Sequence, residues 1–398
     1  MSAPATKVLV VRGHQGTPWE LRQWEQLPER YAVSYLRTSH NGWDIGELAV
    51  DAVPVSTRRD RLPRGLPGDV ATILLGDRYT DAGDAYDAAD IVHAEELGYW
   101  FAADAARAKA RHGFKLVQTV WETLPMGDAY RRKGTQRYRA EVLAATDLFL
   151  AATERAKVGL LLEGVDEAKI RVVAPGIDTA RFAVRDAAPP NGPHVILSPG
   201  RLVWEKGHHD AIRAIALLHR GIVPLPEGVA PPRLRIVGRG PEEARLNAHA
   251  DELGVGAAVE IGALPYDEMP RAFASASALL LGSQSSATAA RHPFDVPRAF
   301  WEEQFGLVFA EAMAAGLDII TTTNGAIPEV LAGQGTLVGP GDHIGMAEAL
   351  AAGPLQRPAG TRVEYPAELV QRYSIGAAAE RLASAYDAVL GASTSLRR

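Results

Sequence analysis

Short apolar runs alternate with longer stretches at helical spacing from one end of this 398-residue chain to the other. Apolar runs of strand length separated by helix-length patterns specify βαβ units, and βαβ units build parallel sheets covered on both faces. In the first half the predicted strands are 7–11, 32–36, 70–75, 91–93, 115–120, 148–151 and 170–173, with helical patterns over 95–111 and 130–145. The alternation then breaks. Ala187-Ala188-Pro189-Pro190-Asn191-Gly192-Pro193 has no periodicity and is dense in turn formers, so it reads as a linker. Strand-like runs resume at 195–197, 234–237, 259–261, 278–281, 319–321 and 336–338, and 366–390 has helical spacing.

The expectation is an α/β protein with two doubly wound Rossmann-like domains facing across a cleft. The first spans 1–185, a linker 186–193, and the second 194–372. A chain of this length accommodates two or three domains at roughly 150 residues each. In open parallel sheets ligands bind beyond the carboxyl ends of the strands, which makes such a cleft the natural site.

Composition narrows the function. A net charge of −6 argues against nucleic acid as the main partner. The absence of cysteine excludes disulfides, thiolate catalysis and cysteine-ligated metal. No apolar run approaches the roughly 18 residues of a membrane span. The start, Met1-Ser2-Ala3-Pro4-Ala5-Thr6-Lys7, lacks a signal-peptide layout, so the expected location is cytoplasmic.

Three segments carry chemistry. Ser198-Pro199-Gly200-Arg201-Leu202 continues to Lys206-Gly207, placing two cations in a strand-end loop before a helix starting near His208. Arg as a fork and Lys as a point charge can neutralise a diphosphate, although Glu205 between them also suits a solvated loop. Next, Ile236-Val237-Gly238-Arg239-Gly240-Pro241 is a strand and a Gly-rich turn. A dinucleotide fingerprint needs a third glycine where Glu243 stands, which discounts a nicotinamide site. Finally, Glu303 and Glu311 flank a predicted helix start at Phe305-Gly306-Leu307. Eight residues of helix separate two carboxylates by about 80° and about 12 Å along the axis, poor for one metal and suited to two points on an elongated ligand. The amides of Phe305, Gly306 and Leu307 would present donors at a positive helix end.

These elements in this order resemble the retaining glycosyltransferases of family four, of GT-B architecture. The resemblance extends to Asn324-Gly325-Ala326-Ile327-Pro328-Glu329-Val330, and back to Val172-Val173-Ala174-Pro175-Gly176-Ile177-Asp178. It implies transfer of a sugar from a nucleoside-diphosphate sugar to an unidentified hydroxyl acceptor, with no cofactor and no metal. Arg201 and Lys206 would hold the diphosphate, Glu303 and the amides of Phe305, Gly306 and Leu307 the sugar, and Glu311 the ribose. Residues 373–398 would form a helix crossing back to the first domain, plus a tail.

Residues 1–146 match the family only in layout. Gly16, in the loop after the first strand, occupies the place that approaches the donor phosphate, or serves only the turn. His93 would be catalytic, or a buried structural histidine. Trp121 and Glu122 stand where relatives carry a second histidine, and would bind the acceptor. The loop 283–299, with Arg291, His292 and Arg298, reads as a lid or as a surface insertion. Arg131, Arg132 and Lys133 begin a basic helix that is a solvated face, or meets a phosphorylated acceptor or a membrane surface. The rival functions are an epimerase or hydrolase of the same fold, and a non-catalytic nucleotide-sugar-binding protein. Donor base, sugar, acceptor and oligomeric state are not encoded legibly.

Overall fold

A computed structural model describes residues 4–43, 46, 48–63, 65–126, 133–183, 192–285 and 301–395. Arg131, Arg132, Arg291, His292, Arg298 and most of the expected linker lie outside the described residues. The chain divides into two compact units, Met1–Ile177 with Arg372–Arg398, and Asp178–Gln371.

The first unit holds seven strands: β1 (Thr6–Val10), β2 (Tyr31–Thr38), β3 (Asp51–Val55), β4 (Ile91–Glu95), β5 (Lys115–Val120), β6 (Leu148–Ala151) and β7 (Ile170–Val172). All pair in parallel, in the order β3-β2-β1-β4-β5-β6-β7. The second unit holds β8 (Val195–Pro199), β9 (Arg233–Val237), β10 (Val259–Gly262), β11 (Ala278–Leu281), β12 (Asp318–Thr322) and β13 (Thr336–Val338). Their order is β10-β9-β8-β11-β12-β13, again parallel. Each sheet reverses direction once, between β1 and β4 and between β8 and β11. These switch points open a crevice at the carboxyl ends of the strands.

Sequence and structure differ at three elements of the first unit. Residues 70–75 are not a strand but the second half of a helix, Leu66–Leu75. Pro67 sets the backbone of its first turn and Gly76, at φ +68°, stops it, so local geometry overrides the apolar run. Conversely β3 has no strand-like sequence, because Pro54 interrupts it; it is an edge strand, where proline is tolerated. The helical pattern over 95–111 also starts late: Glu95 ends β4 and the helix runs Trp100–His112.

The C-terminal pattern splits into Ala367–Arg372 and Ile375–Ser395. Between them Ser374 bridges Ile177, with Ile177 N–H donating to Tyr373 (2.8 Å) and Ile375 N–H to Ile177 (3.1 Å). The long helix completes one face of the first sheet, packing Leu382, Ala383, Tyr386 and Val389 with Val8, Val10, Trp24 and Val117. At the centre Trp24 Nε1–H donates to the Tyr386 hydroxyl (3.0 Å), which also hydrogen-bonds His93 Nδ1 (2.6 Å).

Tyr386 is therefore expected to stabilise the first unit twice over. Tyr386→Phe leaves two buried nitrogens unpaired, at about 1–3 kcal/mol, and Tyr386→Ala adds a cavity, raising the loss to about 3–5 kcal/mol. Thermal unfolding should rank the variants in that order; equal melting temperatures for both and the parent chain would contradict it.

Candidate active site

The second unit's switch point is assembled by glycines. Gly200 N–H donates to Val237 (2.9 Å) and Leu202 N–H to Arg239 (2.9 Å), joining the loops after β8 and β9. A Cβ on Gly238 would lie 1.8 Å from Gly200 O, and one on Gly240 would lie 2.3 Å from Leu202 O. The Gly-x-Gly turn is thus a requirement of backbone packing, and this is the structural role seen for Gly238. Burial holds the neighbouring His208 neutral by pushing its pKa down to about 4. Its Nε2–H donates to Arg201 O (3.2 Å) and its Nδ1 accepts from Ser198 (2.9 Å), fixing the loop that presents the exposed Arg201 side chain.

Gly207 sits at φ +64° as the cap of the helix His208–His219, and a Cβ there would lie 1.8 Å from Gly282 O. That approach brings the preceding Lys206 to the end of β11. Lys206 Nζ donates to both carboxylate oxygens of Glu303 (2.8 and 2.7 Å), and its ammonium stands 5.2 Å from the centre of the Trp301 ring. Ser283 Oγ donates to Glu303 (2.9 Å). The Glu303 backbone is fixed as well: its N–H donates to Asn324 Oδ1 (2.6 Å) and its carbonyl accepts from Ala326 N–H (2.9 Å). Asn324 is buried, and its Nδ2 has no hydrogen-bond partner among the described residues. An orphaned buried donor costs free energy unless something else accepts from it.

Glu303 lies in the loop before the helix Leu307–Ala315, which Gly306 caps at φ +79°, and Glu311 is in that helix. Phe305 is buried beneath the loop, so Phe305, Gly306 and Leu307 together form the helix entry. Glu311 is also buried and accepts from the Tyr266 hydroxyl (3.3 Å). Arg181 lies 5.1 Å from the Tyr266 ring centre. Burial pushes Glu311 up to about 7, against the opposing pull of Tyr266 and Arg181.

At the first unit's switch point Arg12, in the loop after β1, pairs with Glu20 of the helix Pro18–Glu25 (2.5 Å) and with Glu95 at the end of β4 (2.5 Å). Burial raises the Glu95 pKa, Arg12 opposing it. Trp121 Nε1–H donates to Glu95 and its backbone N–H to the Glu96 carboxylate (2.7 Å), with Glu96 held at φ +59°. A non-glycine residue at positive φ is strained by about 1–3 kcal/mol, and such strain concentrates at functional sites. The Glu122 carboxylate accepts from Thr123 and Leu124 N–H (3.0 Å each) and so shapes its own loop. Gly16 is sterically required: a Cβ would lie 2.1 Å from the Tyr35 hydroxyl oxygen.

His93 does not present a free nitrogen to a ligand. It is buried, its Nδ1 is hydrogen-bonded to the Tyr386 hydroxyl and its Nε2 to the Thr119 hydroxyl (2.7 Å), and burial pushes its pKa down to about 3. Among the two readings of this residue, the geometry matches the structural one. Sequence reasoning missed Arg12, Glu95, Ser283 and the amide of Asn324, whose roles depend on loops converging from distant positions.

A model of "Glycosyltransferase Family 4" matches residues 24–181 and one of "Glycosyl transferases group 1" matches residues 181–353. The chain belongs to the GT-B glycosyltransferases. Among curated relatives, WcaL of Escherichia coli K12, assigned to colanic acid biosynthesis, is 33% identical over 43% of this chain and 39% of its own length. A glycogen synthase of Mycobacterium tuberculosis is 34% identical over 42% of this chain and 35% of its own. The chain thus spans less than half the length of these relatives. Solved GT-B structures match almost throughout. HepE of Anabaena, in complex with UDP and glucose, gives a TM-score of 0.68 at 16% identity over 96% of this chain and 100% of that one. WaaG, involved in lipopolysaccharide biosynthesis, gives 0.61 at 18% identity over 96% and 98%. At these identities the likeness is one of fold.

The raised Glu311 pKa sets a pH dependence for this GT-B glycosyltransferase. The folded state holds the proton more tightly than the unfolded chain, so this contribution to stability is present below about 4.5 and is lost as pH rises through about 7. Glu311→Gln should relieve a penalty on the order of 3 kcal/mol at pH 8, at ~1.4 kcal/mol per pKa unit, and little at pH 4.5. Urea unfolding at the two pH values measures it; an unchanged pH dependence would refute the assignment.

Proposed function

We propose that the protein is a retaining, metal-independent hexosyltransferase that moves a sugar from a nucleoside-diphosphate sugar to a hydroxyl acceptor. The observation that carries this reading is the pair of partly buried Lys206 with buried Glu303 at the second sheet's switch point, backed by Ser283 and the orphaned Asn324 amide. Departure of a nucleoside diphosphate builds negative charge on the leaving oxygen. Lys206 has one N–H beyond the two that Glu303 accepts, and Arg201 is exposed on the adjoining loop. Preorganised cations stabilise such charge where it develops, and they replace what a metal would otherwise supply.

In this reading Glu303 accepts from the donor sugar's hydroxyls, the helix entry at Phe305, Gly306 and Leu307 adds donors, and Glu311 holds the ribose. Gly238 keeps side chains away from the phosphate loop. Retention follows when the acceptor attacks from the face that the leaving group vacates, with a leaving phosphate oxygen taking the acceptor proton. No protein nucleophile is then needed. The first unit would supply the acceptor surface, with Gly16 near the donor and the Trp121 ring, anchored through Glu95, stacking on a sugar. The UDP and glucose complex of HepE and the UDP-2-fluoro glucose complex of an E. coli fold relative favour a nucleotide-sugar donor. A cytoplasmic location suits such a donor.

Donor binding and turnover test the reading together. Thermal-shift measurements with UDP-, GDP-, ADP- and TDP-sugars should show one selective shift that survives chelator; a ligand at a hundred times its Kd adds about 2.7 kcal/mol. Lys206→Ala should lower kcat/KM by roughly 100- to 1,000-fold while Glu311→Ala mainly weakens donor binding. Full turnover in both variants, or donor consumed at the same rate without any acceptor, would defeat the proposal.

A further inference from the structure

Gln284 follows Ser283 in the loop after β11, and it is bonded on both sides of Lys206. Its backbone N–H donates to the carbonyl of Glu205 (2.8 Å), the residue before Lys206. Its side-chain amide donates to Asp210 Oδ2 (2.5 Å) and to Gly282 O (2.9 Å). Asp210 lies in the first turn of the helix His208–His219. The segment from Glu205 to Asp210 is therefore tied at both ends to one residue, with Lys206 between the ties. Both partners of the amide nitrogen are acceptors, so only one orientation of the Gln284 amide satisfies them.

Asp210 is an uncommon place for a carboxylate. An acidic residue in the first turn of a helix gains its attraction to the helix dipole while exposed, yet the Asp210 side chain is 2% exposed. Burying a charge costs free energy unless hydrogen bonds and charge partners offset it. Here Oδ1 accepts from Arg213 (2.6 Å) and Oδ2 from Gln284, with His209 Nε2 (3.5 Å) and His343 Nδ1 (4.0 Å) nearby. The two oxygens have separate tasks. The Arg213 bond stays within the helix. The Gln284 bond leaves it and reaches the strand end that carries Ser283, whose hydroxyl donates to Glu303.

We infer that Asp210 is a positioning residue for the Lys206–Glu303 site and acts through Gln284. Lysine carries its charge on a flexible stem, so the aim of its ammonium depends on how firmly its backbone is held. The approach of Gly207 to Gly282 sets how close the two loops come. The Gln284 bonds keep them from parting, which holds Lys206 and Ser283 on the same carboxylate. The consequence for turnover rests on the donor chemistry proposed above; the link from Asp210 to Lys206 does not.

The test is the rate at which an N-hydroxysuccinimide acetate ester acylates Lys206 in the folded full-length chain, read by peptide mass spectrometry. Lys157, paired with Glu167 in the first unit, is the internal reference. Asp210→Ala and Gln284→Ala should each raise the Lys206 rate by roughly fivefold, the weight of one hydrogen bond. Residues that act through one another are not additive, so the double variant should be no faster than Asp210→Ala. Asp210→Asn, whose carbonyl can still accept from Gln284, and Arg213→Ala should both stay near the parent rate. Gln284 is only half-buried, so its variant keeps the test decisive where Asp210→Ala melts early. In transfer assays with the sugar nucleotide selected by thermal shift, kcat should fall roughly tenfold in both alanine variants with little change in donor KM. The inference fails if Gln284→Ala leaves Lys206 at the parent rate, or if a chain that transfers sugar keeps its parent kcat in both. It also fails if Arg213→Ala raises the rate as much as Asp210→Ala, because Asp210 then serves only its helix. A faster Lys206 in both alanine variants of a chain that turns over no sugar nucleotide would uphold the link and sink the donor chemistry instead.

Discussion

The second unit is organised around one largely buried ion pair, Lys206 with Glu303. A buried pair is a poor way to gain stability, since desolvating both charges offsets their attraction. Its retention at a sheet switch point calls for another purpose, and the surrounding contacts show how much of the unit serves it. Gly207 against Gly282 brings Lys206 to the end of β11, Ser283 and Asn324 hold Glu303 by side chain and backbone, and Trp301 faces the ammonium. Thr321 and Thr322 donate to Leu281 and Ser283 carbonyls (2.8 and 2.7 Å), tying β12 to the strand end that carries the site. Removing one partner would leave the other as an uncompensated buried charge.

The first unit repeats the arrangement with different chemistry. Its switch point also carries a buried charge cluster, Arg12 with Glu20 and Glu95, and its strained residue, Glu96, sits next in the chain. The carboxylates there grip Trp121 through both its ring and its backbone, so an aromatic side chain is held by ionic scaffolding. The same topology therefore yields a cationic, anion-ready loop in one sheet and a braced aromatic surface in the other. Polar side chains at strand ends are costly to bury, and concentrating them where the sheet reverses leaves the two apolar cores uninterrupted.

Legibility in the sequence followed how local each signal was. Most central strands were evident because a strand covered on both faces must be apolar throughout, as in Leu148–Ala151 and Ala278–Leu281. The helix Leu66–Leu75 was misread because its apolar run has strand length, while Pro67 and Gly76 decide its geometry. β3 was invisible because an edge strand needs little apolar character. At the site, Lys206 and Glu303 were legible as charges in the loops before helices, and Glu311 as a charge within one. His93 was visible as a candidate, but its two partners come from β5 and the C-terminal helix, far away in sequence.

The sequence by itself determined the parallel α/β class, the break and single restart of the strand pattern and the charged strand-end loops, because each is written in spacing over a few residues. Tertiary structure alone decided which of those charges meet. Lys206 and Glu303 are 97 residues apart in sequence and meet because Gly207 and Gly282 let two backbones touch. It also decided that Tyr386 and Thr119 engage both ring nitrogens of His93. Burial and partner choice depend on packing between distant segments, and no local pattern encodes them.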